Sequence, residues 1–365
     1  MKNKLPAGSI DSDFMLMSAV VGLVFLGTLM VFSSSVIMAD VRWHSPYSFF
    51  FKQLMWVAIG SSLMWYFTQF DYRTLQKYAK PLTVAVVILL GLALVIGTAK
   101  LGAKRWLKIG PFSMQPSELA KYVLVIALAD YIDRKKSKLK KWEGVLPALA
   151  VTALFVIPIL LEPDLGTPLI MCAVAMSLLF VSGASFSKMA VLAMSALPLI
   201  AVEIYRKPYR LLRIKHFIES LGDISSTSYQ LNQSILALGS GGFFGKGLGQ
   251  GQMKLLYLPE AHTDFIFPVI GEELGFVGAA FVIALFVIIA WRGWRVCRSS
   301  DSYFGSLVAL GITLLITYQA ILNISVACGL APTKGLALPF VSFGGSSLLF
   351  NMAAAGVLLN ISKKQ

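Results

Sequence analysis

Three polar side chains that could do proton chemistry stand two residues apart in the stretch LPEAHTDFIF at positions 258–267. They are Glu260, His262 and Asp264, and a long apolar run begins directly after them. A carboxylate at such a partly desolvated boundary suits a general base. His262 is weaker evidence, because a polar histidine at a boundary needs no chemical role. Two more acids, Glu272 and Glu273, follow in GEELG at 271–275, inside the apolar run. Each costs about 2.5–3.5 kcal/mol at mid-membrane on insertion scales, so both require partners or water.

Other polar groups recur at the edges of apolar runs. Glu118 and Lys121 in QPSELAK (115–121) are three apart and share a helix face, which predicts a buried pair. The motif EPDLGT (162–167) places Glu162, Asp164 and a helix-breaking proline at the end of another run. Residues 239–251 read GSGGFFGKGLGQG and imitate a phosphate loop. A Walker A loop needs glycine where Ser240 stands and Ser or Thr where Gly247 stands, so this is not one. Its backbone N–H groups can approach an anion, and on pattern alone a plain flexible connector fits somewhat better. The segment 329–347, GLAPTKGLALPFVSFGGSS, contains Ser342 and Gly344 and is too apolar for a free loop. Irregular backbone of that kind is tolerated at membrane depth only where protein buries it or it lines a cavity. No zinc spacing, nucleophile elbow or Ser/His/Asp arrangement occurs, and Cys172, Cys297 and Cys328 are scattered bystanders.

The elements that must hold these groups are membrane helices. About 20 apolar residues cross a hydrocarbon core. Runs of that kind lie near 14–38, 51–70, 81–99, 117–132, 144–161, 167–182, 188–204, 265–291, 303–328 and 346–361. The fold class read from them is an all-α polytopic membrane protein of about ten transmembrane helices, with a large extracytoplasmic loop between spans 7 and 8. The first run is too long for a signal-peptide core and reads as retained. Residues 1–365 form a single membrane domain, with tails at 1–13 and 362–365 and the large loop at 205–264. Short loops rich in Lys and Arg set the orientation. Lys2 and Lys4, Arg73 to Lys80, Arg134 to Lys141, Arg292 to Arg298, and Lys363 with Lys364 all fall on one side, so both termini are cytoplasmic. Two segments depart from that rule on the outer side. One holds Lys100, Lys104, Arg105 and Lys108; the other, 205–263, holds Arg206, Lys207, Arg210, Arg213, Lys215, Lys246 and Lys254. Long loops translocate regardless of charge, which covers the second segment but not the short first one; the functional reading is an anionic ligand at the outer face. Residues 209–221 suit a basic amphipathic helix, lying in the interface or packed on the bundle.

Composition closes off other classes. Apolar residues make up 57% of the chain and charged ones 14%, against roughly 25% charged in a soluble domain. The net charge of +14 fits loops beside anionic lipid better than nucleic acid, which is not an expected partner.

Taken in order and spacing, these motifs resemble the SEDS family (Shape, Elongation, Division and Sporulation), the polytopic proteins that include FtsW, RodA and SpoVE. The likeness runs from Phe14 to the C-terminus. It is carried by Lys104–Trp106, QPSE, PDLGT, the 239–251 loop, LPEAHTDFIF, GEELG and PFVSFGGSS. The sequence PTKG at 332–335 and FSSSV at 32–36 lean toward the division branch; Phe343 and Ala337 replace a usual tyrosine and proline. The resemblance implies a peptidoglycan glycosyltransferase in the bacterial inner membrane that polymerises lipid II at the outer face. Asp264 falls on the family's catalytic aspartate, as general base toward the acceptor sugar's 4-hydroxyl. Lys104, Arg105, Lys246, His262, Ser342 and Gly344 are the expected substrate contacts. Glu118, Lys121, Asp164, Glu272 and Glu273 are the expected structural or cavity-lining groups. No metal ligand is assigned, although a divalent cation (Mg or Mn) could share the stabilisation of pyrophosphate. The implied partners are a class B penicillin-binding transpeptidase and other division proteins. The alternatives are a lipid II flippase, an elongation polymerase and a non-catalytic division scaffold.

Overall fold

The computed structural model describes residues 10–100, 103–110, 112–162, 164–206, 208–220, 229–254 and 257–363. Lys2, Lys4, Lys364 and Pro163 of the EPDLGT motif lie outside the described residues, as does 221–228 of the large loop. The described residues form twelve α-helices: α1 (Ile10–Trp43), α2 (Ser48–Gln69), α3 (Arg73–Ile96), α4 (Pro116–Lys135), α5 (Trp142–Leu161), α6 (Gly166–Val181), α7 (Phe186–Tyr205), α8 (Pro208–Ser220), α9 (Tyr229–Ser240), α10 (Ile266–Ser299), α11 (Tyr303–Ala327) and α12 (Gly345–Lys363).

All ten predicted runs are helical, but not all have the length and composition of a span. Seven do: α3, α5, α7, α10, α11, α12 and the Phe14–Val36 part of α1. The helix α6 is apolar but short. α2 mixes its apolar residues with Lys52, Gln53, Ser61, Ser62 and Thr68, and α4 carries Glu118, Lys121, Asp130 and Asp133. The buried apolar side chains nevertheless make one cluster that runs from Leu16 to Ile361. α12 packs along α2 through small residues. A methyl at Gly60 would lie 2.6 Å from Met352 Sδ, and one at Gly345 would enter the Trp56 ring. Backbones in a membrane approach closely at such positions.

The segment expected as a loop at 100–116 is a small antiparallel sheet. Strands β1 (Thr98–Lys100), β2 (Ala103–Ile109) and β3 (Phe112–Met114) pair in that order. Gly110 supplies the left-handed residue of the β2–β3 turn, with φ of 61°. Alternation along β2 leaves Lys104 and Lys108 exposed and buries Leu107, with Arg105 on the Leu107 side.

α10 is broken near its start. Gly275 has φ of 69° and ψ of −165°, and the glycine loop fills the gap. Lys246 N and Gly247 N donate to the carbonyls of Glu272 and Glu273, while Phe276 N and Val277 N donate to Gly242 and Phe243. Gly245 is obligatory there: its φ is +83°, and a Cβ would lie 2.2 Å from Glu273 O. The loop thus restores the backbone bonds that an interrupted membrane helix loses.

Lys121 Nζ lies 2.9 Å from Glu118 Oε2 and donates to Gln319 Oε1 at 2.7 Å. Removing one partner of a buried pair costs about 3–5 kcal/mol. Glu118→Ala is therefore expected to lower the melting temperature in detergent, and adding Lys121→Ala to recover part of the loss. Additive losses in the double variant would show that the two charges are not coupled.

Candidate active site

The residues before α10 are held by their main chain. Phe343 N donates to His262 O at 2.9 Å, Ser342 Oγ to Thr263 O at 2.6 Å, and Asn323 Nδ2 to Asp264 O at 2.8 Å. The same Asn323 amide donates to Leu336 O at 2.6 Å, and Ser342 Oγ accepts from Leu338 N. One turn of α11 earlier, Gln319 Nε2 donates to Ala337 O. The crossing between α11 and α12 is thereby locked against the segment 262–264.

The Asp264 side chain is treated differently. It is partly exposed yet surrounded by protein, and among the described residues no donor bonds its carboxylate. Gly335 leaves it room: a Cβ there would lie 3.0 Å from Asp264 Oδ2. Burial drives the carboxyl up to about 7, with Glu260 and Asp164 adding to the rise and Arg213 and Arg105 opposing it. An acid near neutrality in this setting is matched to proton transfer.

The surrounding charges come from four other elements. Arg105 reaches over from β2, where Nε donates to Glu162 O at 2.7 Å. Asp164, on the α5–α6 turn, caps α6: its oxygens accept from Gly166 N, Thr167 N and Thr167 Oγ. Glu162 is buried beside it, and burial lifts its carboxyl to about 8, with Asp164 adding and Arg105 opposing. Lys334 sits on the crossing, where burial lowers its pKa and Asp164 opposes that. Arg213 of α8 donates to Thr333 O at 3.2 Å. Among the described residues no three His, Cys, Asp or Glu side chains assemble as a metal site, and Asp164 is already occupied as a cap.

An arrangement of this kind, a base near neutrality with Arg105, Arg213 and Lys334 around it, has the chemistry to take a proton from a hydroxyl and to hold an anionic group. Residues 14–365 match the family described as cell cycle protein, FtsW/RodA/SpoVE. This chain belongs to that family. The protein named probable peptidoglycan glycosyltransferase FtsW from Geobacter sp. (strain M18) is 40% identical, covering 96% of this chain and 97% of the relative. Stage V sporulation protein E of Bacillus subtilis (strain 168) is 36% identical over the same shares. A chain of a peptidoglycan synthase complex, whose structure is described as coordinating polymerization and crosslinking, superposes with a TM-score of 0.78. It is 27% identical and covers 96% of this chain and 97% of its own. The rod shape determining protein RodA of Thermus thermophilus gives 0.71 at 28% identity, covering 96% of each chain.

Against the contacts expected for a member of this family, the structure brings Arg105, Asp164 and Asp264 together. Lys104 points away, its Nζ donating to Val95 O at 3.3 Å. His262 is buried, its ring 4.8 Å from Phe49 and 5.8 Å from Phe343. Ser342 is a buried brace, and Gly344 leads into α12, its carbonyl accepting from Leu348 N. Lys246 is paired with Glu272 at 2.9 Å, and Lys254 with Glu273 at 2.6 Å. Gln252 N and Met253 N also donate to Glu272, while Gly249 N and Ser33 Oγ donate to Glu273. The glycine loop does cradle anions, and they are the chain's own carboxylates. Asn323, Lys334 and Glu162 received no role from the sequence. Two signals pointed at them: an amide one turn after Gln319 inside an apolar span, and the lone cation of an otherwise uncharged crossing.

Asn323→Ala leaves two carbonyls without their donor, each worth about 1–3 kcal/mol when buried and unsatisfied. The expected outcome is a lower melting temperature for the full chain in nanodiscs. A melting curve that superposes on wild type would show that Asn323 is not a brace.

Proposed function

We propose that this chain is the FtsW-type peptidoglycan glycosyltransferase that polymerises lipid II at the outer face of the cytoplasmic membrane. The observation that carries the reading is Asp264: a carboxylate with a fixed backbone, no donor among the described residues, and an affinity for protons near neutrality. In this role Asp264 takes the proton from the 4-hydroxyl of the acceptor sugar. The oxygen then attacks the anomeric carbon of the donor chain. The bond from that carbon to the lipid pyrophosphate breaks, and its electron pair leaves on the pyrophosphate. Arg105, Lys334 and Arg213 supply positive charge fixed in advance where that negative charge develops.

The orientation rests on the distribution of basic residues. Arg134–Lys141 and Arg292–Arg298 gather at the end of the bundle opposite Asp264, which by the positive-inside rule is cytoplasmic. A class B penicillin-binding transpeptidase is the proposed partner, in keeping with the synthase complex that this fold matches.

Asp264→Asn keeps size and shape but cannot accept a proton, so polymerisation of purified lipid II should fall by about 10²–10⁴-fold. Wild-type activity should rise with pH through about 7, as the carboxyl ionises to its basic form. The decisive readout is glycan strands on a gel, with folding checked by melting temperature and retention of the transpeptidase. Strand synthesis by a folded Asp264→Asn protein would eliminate the base assignment and leave a flippase or scaffold.

A further inference from the structure

Glu162 presents an oddity that the transfer reaction does not use. Its side chain is 1% exposed, and neither carboxyl oxygen has a hydrogen-bond partner among the described residues. The nearest cation, Arg105, approaches the main-chain carbonyl through Nε, so the carboxyl group is not the acceptor of that bond. Two residues on, the Asp164 carboxyl is committed to capping α6 and lies close by. An ionised Glu162 would thus be a buried charge without a donor, next to a like charge, which is a costly state.

We propose that Glu162 serves this site as a neutral carboxylic acid, a positioning group whose lack of charge preserves the positive field that Arg105 presents to an anionic substrate. Its O–H form fills the space behind Arg105 without adding negative charge to a pocket that already holds Asp164 and Asp264. The inference rests on the reading of the site as one that takes a lipid pyrophosphate. Its ligand class is a polyprenyl pyrophosphate, felt through the field and not touched by Glu162.

The charged groups that face Glu162 are Arg105 from β2 and Asp164 from the α5–α6 turn; Lys334, from the crossing, acts on Asp164. Because the carboxyl is lifted to about 8, it is neutral below that pH and gains charge above it. The consequence is an alkaline loss of pyrophosphate binding. Its expected size is roughly tenfold, the scale of one unit charge acting across about 10 Å at an effective dielectric of about 20.

The test uses the full chain in nanodiscs with a polyprenyl pyrophosphate as probe, titrated across neutral and alkaline pH. Wild type should bind roughly tenfold more weakly once the pH passes about 8. Glu162→Gln, neutral and of the same shape, should match wild type near neutrality and keep its affinity at alkaline pH. With lipid II as substrate the same variant should change KM at alkaline pH and leave kcat alone. A purely structural Glu162 would move neither profile. An alkaline loss that persists in Glu162→Gln overturns the inference and passes the effect to another group, with Lys334 first in line. Should Glu162→Gln fail to fold, wild type labelled with ¹³C-glutamate decides by infrared spectroscopy. A protonated glutamic acid band that survives to about pH 8 supports the proposal, and its absence at neutral pH overturns it. Wild type that binds the probe with this pH dependence but makes no glycan would refute the glycosyltransferase reading and leave Glu162's role standing.

Discussion

Backbone polar groups packed inside the protein at a membrane boundary need protein donors, and three adjacent carbonyls, at His262, Thr263 and Asp264, meet that constraint with donors from elsewhere in the chain. The donors are Phe343 N, Ser342 Oγ and Asn323 Nδ2. A segment held at three consecutive carbonyls fixes the direction in which the Asp264 Cα–Cβ bond leaves the backbone. The crossing between α11 and α12 is irregular because it supplies these donors, and it is tolerated at that depth because they bind it. The chain of contacts continues inward. Gln319 bonds both Ala337 O and Lys121, and Lys121 bonds Glu118, so the buried ion pair of α4 is mechanically continuous with the wall facing Asp264.

The acids of this protein divide by whether their side chains are satisfied. Glu272 and Glu273 take donors from backbone amides and one lysine each; Asp164 takes two amides and a hydroxyl; Glu118 takes Lys121. Those four carboxylates hold elements in place. Asp264 and Glu162 receive no comparable donors, and these are the two whose proton affinity is lifted toward neutrality. Low dielectric makes an unsatisfied carboxylate expensive, so its persistence beside a cationic cluster is physically informative in a way that satisfied acids are not.

Much of the architecture was legible in the sequence because a membrane imposes a coarse code. All ten apolar runs became helices, and the three-residue spacing of Glu118 and Lys121 gave a true contact. The number of spans was less legible, since α2 and α4 interrupt their apolar residues with polar ones, and those of α4 find partners on α11 and α3. The sheet at 98–114 escaped because its strands are short, and only pairing with each other makes them regular. The glycine loop read as a connector or an anion cradle, and local pattern could not disclose that GEELG some twenty residues later supplies the carboxylates it holds. Asn323 and Lys334 stood out locally, as an amide in an apolar span and a lone cation, but their roles are set by long-range contacts and fields.

Arg105 acts on both lifted acids, which ties leaving-group binding to base strength. Its positive field holds down the proton affinity of Asp264 and of Glu162 alike. On the proposed reading, a pyrophosphate that settles against Arg105 and Arg213 offsets the two cations that oppose the rise at Asp264. The carboxylate then becomes a stronger base in the complex than in the free protein. Its proton affinity near 7 in the free protein leaves it largely ionised at a slightly higher ambient pH, ready to accept the acceptor's proton. Deprotonation is thereby favoured when the donor is in place, and water that enters an empty site meets a weaker base. The coupling needs no moving part: it follows from placing one guanidinium within the field of both the base and the leaving group.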